Sequence, residues 1–329
     1  MRYINRHLKK LLLVVLVLAT VGASASGHHP LIGEPVELLI EWGVSGSSLE
    51  GEPSSDWTLS TVDVHAQAAL RSDRQLHIGL LWEEDSREDD PLDRLYLQET
   101  WNAIELRIGR FYQSFGPVES QFISDPFTLE LAELNRIGLS ALGAIAGVEL
   151  EAGMIESEVS AALVGNLDGY VAAHWQPEHG VTIGLSWISD LLESDGLVGG
   201  LPAREQTKRI AGISASIEMD LGPTQLYLAY ITALRSSDLY SIDWQPQVGH
   251  VECRYKLSDQ SACALKYECS EDWWVSEDGV TWEEPLGSYL AGFVFTHACT
   301  PQMQLAAEVV HVEADEQGQR FAVEMAQLF

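Results

Sequence analysis

The chain has 329 residues and a formal net charge of −30, because 49 Asp and Glu residues outnumber 19 Lys and Arg residues. Hydrophobic residues make up 46% of the chain, which is too many for a disordered polyanion. The acidity argues against a nucleic-acid partner, since phosphate groups are neutralised by Lys and Arg. The composition therefore predicts a folded protein that does not bind nucleic acid.

The first 25 residues have the features of a secretory signal peptide. Basic residues precede an apolar run from Leu11 to Val21, and Ala23-Ser24-Ala25 supplies the small residues of a cleavage site. A membrane anchor is the alternative, but this run is too short to span a bilayer. Residues 1–25 are therefore predicted to be a signal peptide, and residues 26–34 a short tail that follows it.

Apolar and polar residues alternate through most of the remaining chain. The run Leu76-His77-Ile78-Gly79-Leu80 is typical, and such alternation indicates strands with one apolar face. Dividing the chain at its turn signals predicts about sixteen strands. These are 35–45, 57–71, 75–82, 92–99, 103–112, 137–150, 156–165, 169–176, 181–189, 207–220, 224–233, 248–257, 261–268, 287–297, 302–312 and 320–329.

Short and long connections alternate between these strands. Ser72-Asp73 and Leu221-Gly222-Pro223 are short turns, whereas 45–56, 113–135 and 190–206 are long polar segments. Tight turns at one end and long loops at the other are typical of outer-membrane barrels. Residues 35–329 are therefore predicted to form an all-β, transmembrane, antiparallel up-and-down β-barrel in the outer membrane of a Gram-negative bacterium, surrounded by outer-membrane lipid. Its short turns and the tail 26–34 are predicted to be periplasmic, and its long loops external.

Aromatic residues support the same architecture. Trp82, Trp101, Trp175 and Trp187 lie near predicted strand ends, where barrels place interfacial aromatic girdles. The chain also ends in an alternating strand that stops at Phe329. Outer-membrane proteins typically end on an aromatic residue that the barrel assembly machinery reads. Phe329 is therefore the predicted assembly signal, and its deletion should reduce insertion into the outer membrane.

The strand faces opposite the apolar ones are polar and charged, and include His65, His77 and Glu105. A barrel of about sixteen strands encloses an aqueous channel, so we expect passage of a small solute through a porin. The sequence has no motif of a serine hydrolase, zinc protease or phosphate loop, and we expect no catalysis, cofactor or metal. A structural or adhesive barrel, or a barrel hydrolase, is the alternative of another class.

Residues 113–135 are a candidate constriction loop, with a short helical turn predicted after Pro126. Basic residues before the loop and acidic residues within it could form the two walls of a narrow eyelet. These residues are Arg107 and Arg110 on one side and Glu119, Asp125, Glu130 and Glu133 on the other. The excess of carboxylates predicts cation preference.

A specific motif spans residues 109–135. It reads G-R-F-Y-x-x-F-G at 109–116, E-S at 119–120 and I-S-D-P-F-T-L-E-L-A-E at 123–133. This stretch resembles the corresponding segment of the LbtU family of siderophore porins. The resemblance implies uptake of a ferric siderophore through an outer-membrane barrel that has no plug domain. A general cation-preferring diffusion porin is the alternative. A homotrimer is one candidate assembly, since trimers are common among sixteen-stranded porins.

Four cysteines, Cys253, Cys263, Cys269 and Cys299, lie in the last quarter of the chain. Cys253 and Cys263 flank a short turn, and their spacing is compatible with a cross-strand disulfide or with isolated thiols. Cys269 is expected at the external end and Cys299 near a periplasmic turn, which places this pair beyond disulfide reach.

Overall fold

The structure, a computed structural model, describes ten stretches of the chain. They are residues 37–49, 52–83, 91–116, 120–123, 126–157, 167–198, 209–239, 242–273, 286–313 and 317–328. The predicted signal peptide, the predicted tail at 26–34 and Phe329 lie outside these residues.

Sixteen strands form one closed antiparallel barrel, which confirms the predicted fold class. The barrel closes where the last strand pairs with the first, from Leu39↔Leu328 to Leu49↔Gly318. The first eight barrel strands are β1 (Glu37–Leu49), β2 (Glu52–Arg71), β3 (Arg74–Glu83), β4 (Leu92–Trp101), β5 (Ile104–Tyr112), β6 (Asn135–Ile145), β7 (Val148–Glu156) and β8 (Leu167–Glu178). The other eight are β9 (Val181–Ile188), β10 (Gly212–Leu221), β11 (Thr224–Ala233), β14 (Gln247–Lys256), β15 (Ser261–Trp273), β16 (Leu286–Thr300), β17 (Met303–Glu313) and β18 (Gln317–Leu328).

The remaining elements lie in the connections between barrel strands. Strands β12 (Ser237–Leu239) and β13 (Ile242–Trp244) form a separate hairpin. Helix α1 (Phe127–Ala132) follows Pro126, as predicted, and the 3-10 helix Leu191–Glu193 precedes helix α2 (Asp195–Val198). No helix among the described residues is long and apolar enough to cross a membrane.

Tight turns join the strands at one end of the barrel, called here the turn end. They lie at 72–73, 102–103, 146–147, 179–180, 222–223, 257–260 and 301–302. The opposite, loop end carries the connection 113–134, called L3, and the connection 189–211, called L5. The predicted long connection 45–56 is wrong, because β1 and β2 continue pairing as far as Leu49↔Glu52.

The predicted boundary between the strands 137–150 and 156–165 is also wrong, and residues 158–165 lie outside the described residues. Strand β6 ends at Ile145, and β7 already begins at Val148. Between them Ala146 and Gly147 both have positive φ, 52° and 81°. Two left-handed residues make the tight hairpin turn that matches strand twist. Ala is unusual in that conformation, so the apolar alternation gives no sign of a turn there.

Side chains alternate between the outer face and the lumen. Leu265, Phe293, Val309 and Phe321 are register partners on four adjacent strands, and all are exposed. Trp101 ends β4 at the turn end and is 66% exposed. An apolar outer face with aromatic residues near strand ends suits a lipid environment.

The four cysteines are free in the structure. Cys253 is paired in register with Leu265, and Cys263 with Tyr255, so the two cysteines lie diagonally across neighbouring strands. Of the two arrangements compatible with the sequence, the structure has the isolated thiols.

Candidate channel interior

The first part of L3 turns into the barrel. Ser114 donates a hydrogen bond from its hydroxyl to Glu151 on β7 (2.6 Å), and the Gly116 N–H donates to the Ser186 hydroxyl on β9 (3.0 Å). Glu151 and Ser186 face the lumen, since both pair in register with the buried Ala172. Gly116 has φ of 76°, and a Cβ there would lie 2.6 Å from that of Ala132. Glycine therefore allows L3 to turn against its own helix.

The second part of L3 reaches the far wall. Glu252 on β14 accepts hydrogen bonds from the Ser120 hydroxyl (2.8 Å) and the Gln121 N–H (3.2 Å). Glu308 on β17 accepts from the Ile123 N–H (2.7 Å). Because β7 and β9 bind one part of L3 and β14 and β17 bind the other, L3 crosses the lumen.

Phe122 lies between the residues of L3 that bind Glu252 and Glu308, and it packs against apolar side chains of the barrel wall. Its ring packs with Leu290, Val294 and Val310 on β16 and β17. A Cβ at Gly292 would lie only 2.6 Å from the Phe122 ring. The Lys266 ammonium lies 4.4 Å from the ring centroid, within cation–π range. Side-chain packing and hydrogen bonds therefore fix the same short segment.

L5 covers L3 from the loop end. Its residues Leu191, Leu192, Leu197 and Ile210 are 1% exposed and share one apolar cluster with residues of L3. In L3 the members of this cluster are Phe115, Leu131, Ala132 and Leu134. The Asp195 N–H donates to the Glu133 carbonyl (2.9 Å), and the Asp195 carboxylate pairs with the buried Arg136. The two connections therefore pack as one unit.

Beneath this unit, the inward faces of β14–β17 carry charged side chains that solvent does not reach. We call these faces the covered wall. The side chains of His250, Glu252, Lys266 and Glu268 are 0% exposed. His250 Nδ1 lies 2.7 Å from Glu268 Oε1, and Arg254 Nε donates to Glu252 at 2.7 Å. Each of these charged side chains is paired with an opposite charge within the protein.

The inward faces of β2–β5 are solvated, and we call them the open wall. Side-chain exposure is 22% for Asp63, 33% for His65, 23% for Glu105 and 24% for Arg107. His65 lies 3.2 Å from Asp63, and the His77 ring stacks on Tyr96 with centroids 4.4 Å apart. L3 and L5 therefore leave an accessible side to the lumen, and this side is polar.

Arg107 lies on the open wall among carboxylates rather than opposite them. Its Nε donates to Glu105 at 2.7 Å, and its Nη1 lies 3.9 Å from Glu151. Both carboxylates project from the same side of the barrel, on β5 and β7. The positive charge of Arg107 is therefore largely compensated by its own wall.

The predicted pairing of Arg110 with Arg107 on one wall is wrong. Arg110 pairs in register with Leu95 and Ile137, which are exposed apolar residues of the outer face. Residues three apart on a strand point to opposite faces. Arg107 therefore faces the lumen, and Arg110 faces outward.

The acidic residues predicted within the loop are only partly described. Glu119 and Asp125 lie outside the described residues. Glu130 belongs to helix α1, and Glu133 is half-buried directly after that helix. The structure therefore brings Glu105 and Arg107 together, while the contribution of the loop carboxylates stays a prediction.

A cluster of carboxylates lies where L5 meets β8. Asp168, Asp190 and Glu193 are buried, and their oxygens lie within 4.8 Å of one another, a spacing that suits a divalent cation. These carboxylates already accept hydrogen bonds from the protein. The Ser189 hydroxyl donates to Asp168, and the Ile210 N–H donates to Asp190. Burial, together with nearby Asp168 and Glu193, raises the pKa of Asp190 to about 7. This cluster is thus part of the attachment of L5.

Sequence reasoning missed the residues that hold L3. Alternation along β14 and β17 directs the side chains of Glu252 and Glu308 towards the lumen, and this identifies them only as lumen residues. Their partners Ser120 and Ile123 are 132 and 185 residues away in sequence. Strand periodicity carries no information on such long-range pairs, so the covered wall could not be distinguished from the open wall.

The barrel is similar to solved structures of outer-membrane proteins. An anion-selective porin from Comamonas acidovorans matches with a TM-score of 0.65 at 10% identity, over 90% of this chain and 99% of that one. Pseudomonas putida OprB matches with a TM-score of 0.65 at 11% identity, over 90% and 94%. The trimer form of Vibrio cholerae OmpT matches with a TM-score of 0.60 at 12% identity, over 90% and 99%. At these identities the likeness shows the fold alone.

No protein-family model and no curated protein matches the sequence. The resemblance to the LbtU family therefore stays a prediction, as does the expectation that the chain is not an enzyme. The predicted outer-membrane localisation is consistent with the neighbours, which include outer-membrane proteins of Gram-negative bacteria.

Proposed function

We propose that this chain is a porin, a passive channel for small solutes across the outer membrane. The observation that carries the proposal is the open wall. Charged side chains such as Asp63 and Glu105 face the lumen of a closed barrel and keep about a fifth of their surface accessible, 22% and 23%. A sixteen-strand barrel is wide enough for an aqueous pathway, and L3 narrows it from one side.

The proposed selectivity is for cations. Asp63 and Glu105 contribute negative charge to the open wall, and Glu105 compensates Arg107. Carboxylates lining a narrow pathway raise the local concentration of cations. The loop carboxylates Glu119, Asp125, Glu130 and Glu133 are proposed to add to this field.

The specific solute we propose is a ferric siderophore, which the resemblance of residues 109–135 to siderophore porins implies. A general cation-preferring diffusion porin is the second candidate, supported by the charge of the open wall. The two differ in whether a bulky iron complex occupies the channel better than small ions do.

Planar-bilayer conductance of the refolded, full-length mature protein tests the proposal. We expect ion conductance, with a reversal potential in a KCl gradient that shows cation preference. A ferric trihydroxamate siderophore should block this current, and its iron-free form should block it less. Conductance that both forms leave unchanged would favour the general porin, and absence of conductance would favour a structural or enzymatic barrel.

The proposed partners follow from the barrel. Its apolar outer face suits outer-membrane lipid, and Phe329 is proposed to be read by the barrel assembly machinery. A homotrimer is the proposed assembly, supported by the trimer form of the similar barrel of Vibrio cholerae OmpT. Cross-linking of the membrane-inserted protein, followed by electrophoresis without heating, tests this assembly.

A further inference from the structure

His250 on β14 is a buried imidazole between two carboxylates. Its Nδ1 lies 2.7 Å from Glu268 Oε1 on β15, and its Nε2 lies 3.5 Å from Glu252 Oε2 on β14. The Tyr227 ring on β11 meets it edge-on, with centroids 5.6 Å apart. Both ring nitrogens of a fully buried side chain therefore face negative charge.

The two nitrogens do not make equal contacts. The short contact to Glu268 is a hydrogen bond, whereas Nε2 has an ion-pair distance to Glu252 without hydrogen-bond geometry. A neutral imidazole carries one N–H, and an imidazolium carries two. In the neutral form that donates to Glu268, a lone pair on Nε2 points towards Glu252. Attraction between His250 and Glu252 therefore requires the charged ring.

Glu252 is also the carboxylate that holds L3. Its Oε2 accepts from the Ser120 hydroxyl, and its Oε1 accepts from both the Gln121 N–H and Arg254 Nε. A change of charge on His250 therefore acts on the same side chain that anchors residues 120–123. No other contact of His250 is needed for this coupling.

The other ionisable side chains around His250 are those of lysine, arginine and glutamate, with Tyr227 at the ring edge. Lys266 lies 3.7 Å from Glu268, and Arg254 contacts Glu252. On the loop side, helix α1 packs on β14, with Leu131 and Val248 in one apolar cluster. Lys and Arg ordinarily titrate far above pH 8, and Glu well below pH 5. Imidazole is the side chain in this set that ordinarily changes charge between pH 5 and 8.

We infer that His250 is a positioning residue for L3. The charged ring holds Glu252 in the orientation that accepts from Ser120 and Gln121, and loss of its proton loosens this part of L3 and widens the channel. The inference rests on the proposed function, because the widening is measured as ion flow. It adds a residue that acts through Glu252 and does not touch the solute.

Single-channel conductance between pH 5 and 9 tests this inference. We expect the wild-type conductance to increase with pH in one step, spread over about two pH units as for a single group. His250→Gln should lose the step and keep the larger conductance at every pH. Ser120→Ala removes one donor to Glu252 without altering the barrel wall, and it should reduce the size of the step.

His297→Gln is the matched control, since His297 lies on the outer face and contacts Ser261 rather than L3. This variant should keep the wild-type step. A wild-type channel with pH-independent conductance, or a step that survives in His250→Gln, would overturn the inference while leaving the proposed function intact.

A second measurement does not depend on conduction. Hydrogen-exchange protection of the Gln121 and Ile123 amides, corrected for intrinsic rates, should fall as pH increases in the wild type. In His250→Gln it should be low throughout. Equal protection in both proteins at all pH values would overturn the inference even for a barrel that passes no ions.

Discussion

On the covered wall the carboxylates of Glu252 and Glu268 are fully buried, whereas on the open wall Asp63 and Glu105 keep 22% and 23% of their side-chain surface accessible. The residue types are the same, and both sets have the inward phase of their strands. The two walls differ in whether a loop packs over them. L3 lies over β14–β17 with L5 packed on it, and the inward faces of β2–β5 stay accessible to the solvent.

Because of this difference, the carboxylates of the two walls have different roles. A buried charge is costly unless it is paired and hydrogen-bonded, and Glu252 is satisfied by Arg254 and by donors of L3. Its charge is therefore used to hold the loop. A partly exposed carboxylate such as Asp63 keeps a field that reaches passing ions. The covered wall thus sets the shape of the pathway, and the open wall sets its charge.

The largest expected effect comes from breaking the covered wall. Replacing Glu252 and Glu308 together by Ala removes the acceptors of Ser120, Gln121 and Ile123. It also removes the carboxylate to which Arg254 Nε donates, while His250 keeps its contact with Glu268. Loss of one partner of a buried pair costs about 3–5 kcal/mol, enough to detach the loop. Single-channel conductance should increase well above that of the wild type, with more frequent fluctuations.

Glu218→Ala is the control for that variant. Glu218 is an inward carboxylate of β10 that accepts a hydrogen bond from Gln225 on β11 rather than from L3. Its removal should leave the conductance close to that of the wild type. If both variants conduct alike, L3 is not the element that narrows the channel.

The next effect concerns the open wall. Asp63→Asn combined with Glu105→Gln removes two negative charges while keeping side-chain size, so the cation preference should fall. The change should be largest at 0.1 M salt and small at 1 M, because the Debye length shrinks from about 10 Å to about 3 Å. Reversal potentials in a salt gradient measure it. Glu99→Gln is the matched control, since Glu99 is 37% exposed but pairs with Arg74 on the outer face.

Much of the fold could be predicted from the sequence because strand alternation and turn residues are local signals. The number of strands, the closed barrel and the helix after Pro126 follow from them. The hairpin of β6 and β7 could not be predicted, because Ala146 takes a positive φ that its residue type does not indicate. Local patterns fail where a turn uses an ordinary residue.

Less of the interior could be predicted. The inward phase identifies Glu105, Arg107 and Glu252 as lumen residues, yet it assigns them the same surroundings. Only the path of L3 decides which of them is covered, and that path depends on contacts between residues as far apart in sequence as Ser120 and Glu252. Arg110 is a different case, because strict alternation already separates it from Arg107.

A smaller effect sharpens the distinction between the two arginines. Arg107→Gln should increase cation preference, because it removes the positive charge beside Glu105 and Glu151. The effect is expected to be modest, since those carboxylates already compensate it. Arg110→Gln should leave the reversal potential unchanged because its side chain faces outward. Equal shifts in the two variants would contradict the register that places Arg110 on the outer face.

The smallest effect concerns the cover itself, through Asp190 in L5. Burial raises its folded-state pKa to about 7, above the ordinary 3.8, so between these values the folded protein binds the proton more strongly than the unfolded chain. The stability contributed by this proton is complete below about pH 3.8 and is lost as pH increases through about 7.

Asp190→Asn keeps an acceptor for the Ile210 N–H but cannot ionise. Its melting temperature in detergent should therefore exceed that of the wild type at pH 8 and approach it at pH 5. Asp259→Asn, at an exposed turn, should show no such pH-dependent difference. A wild-type advantage at pH 8 would mean that the ionised Asp190 stabilises the attachment of L5, and a compensating cation beside Asp168 and Glu193 would then be required to hold the cover in place.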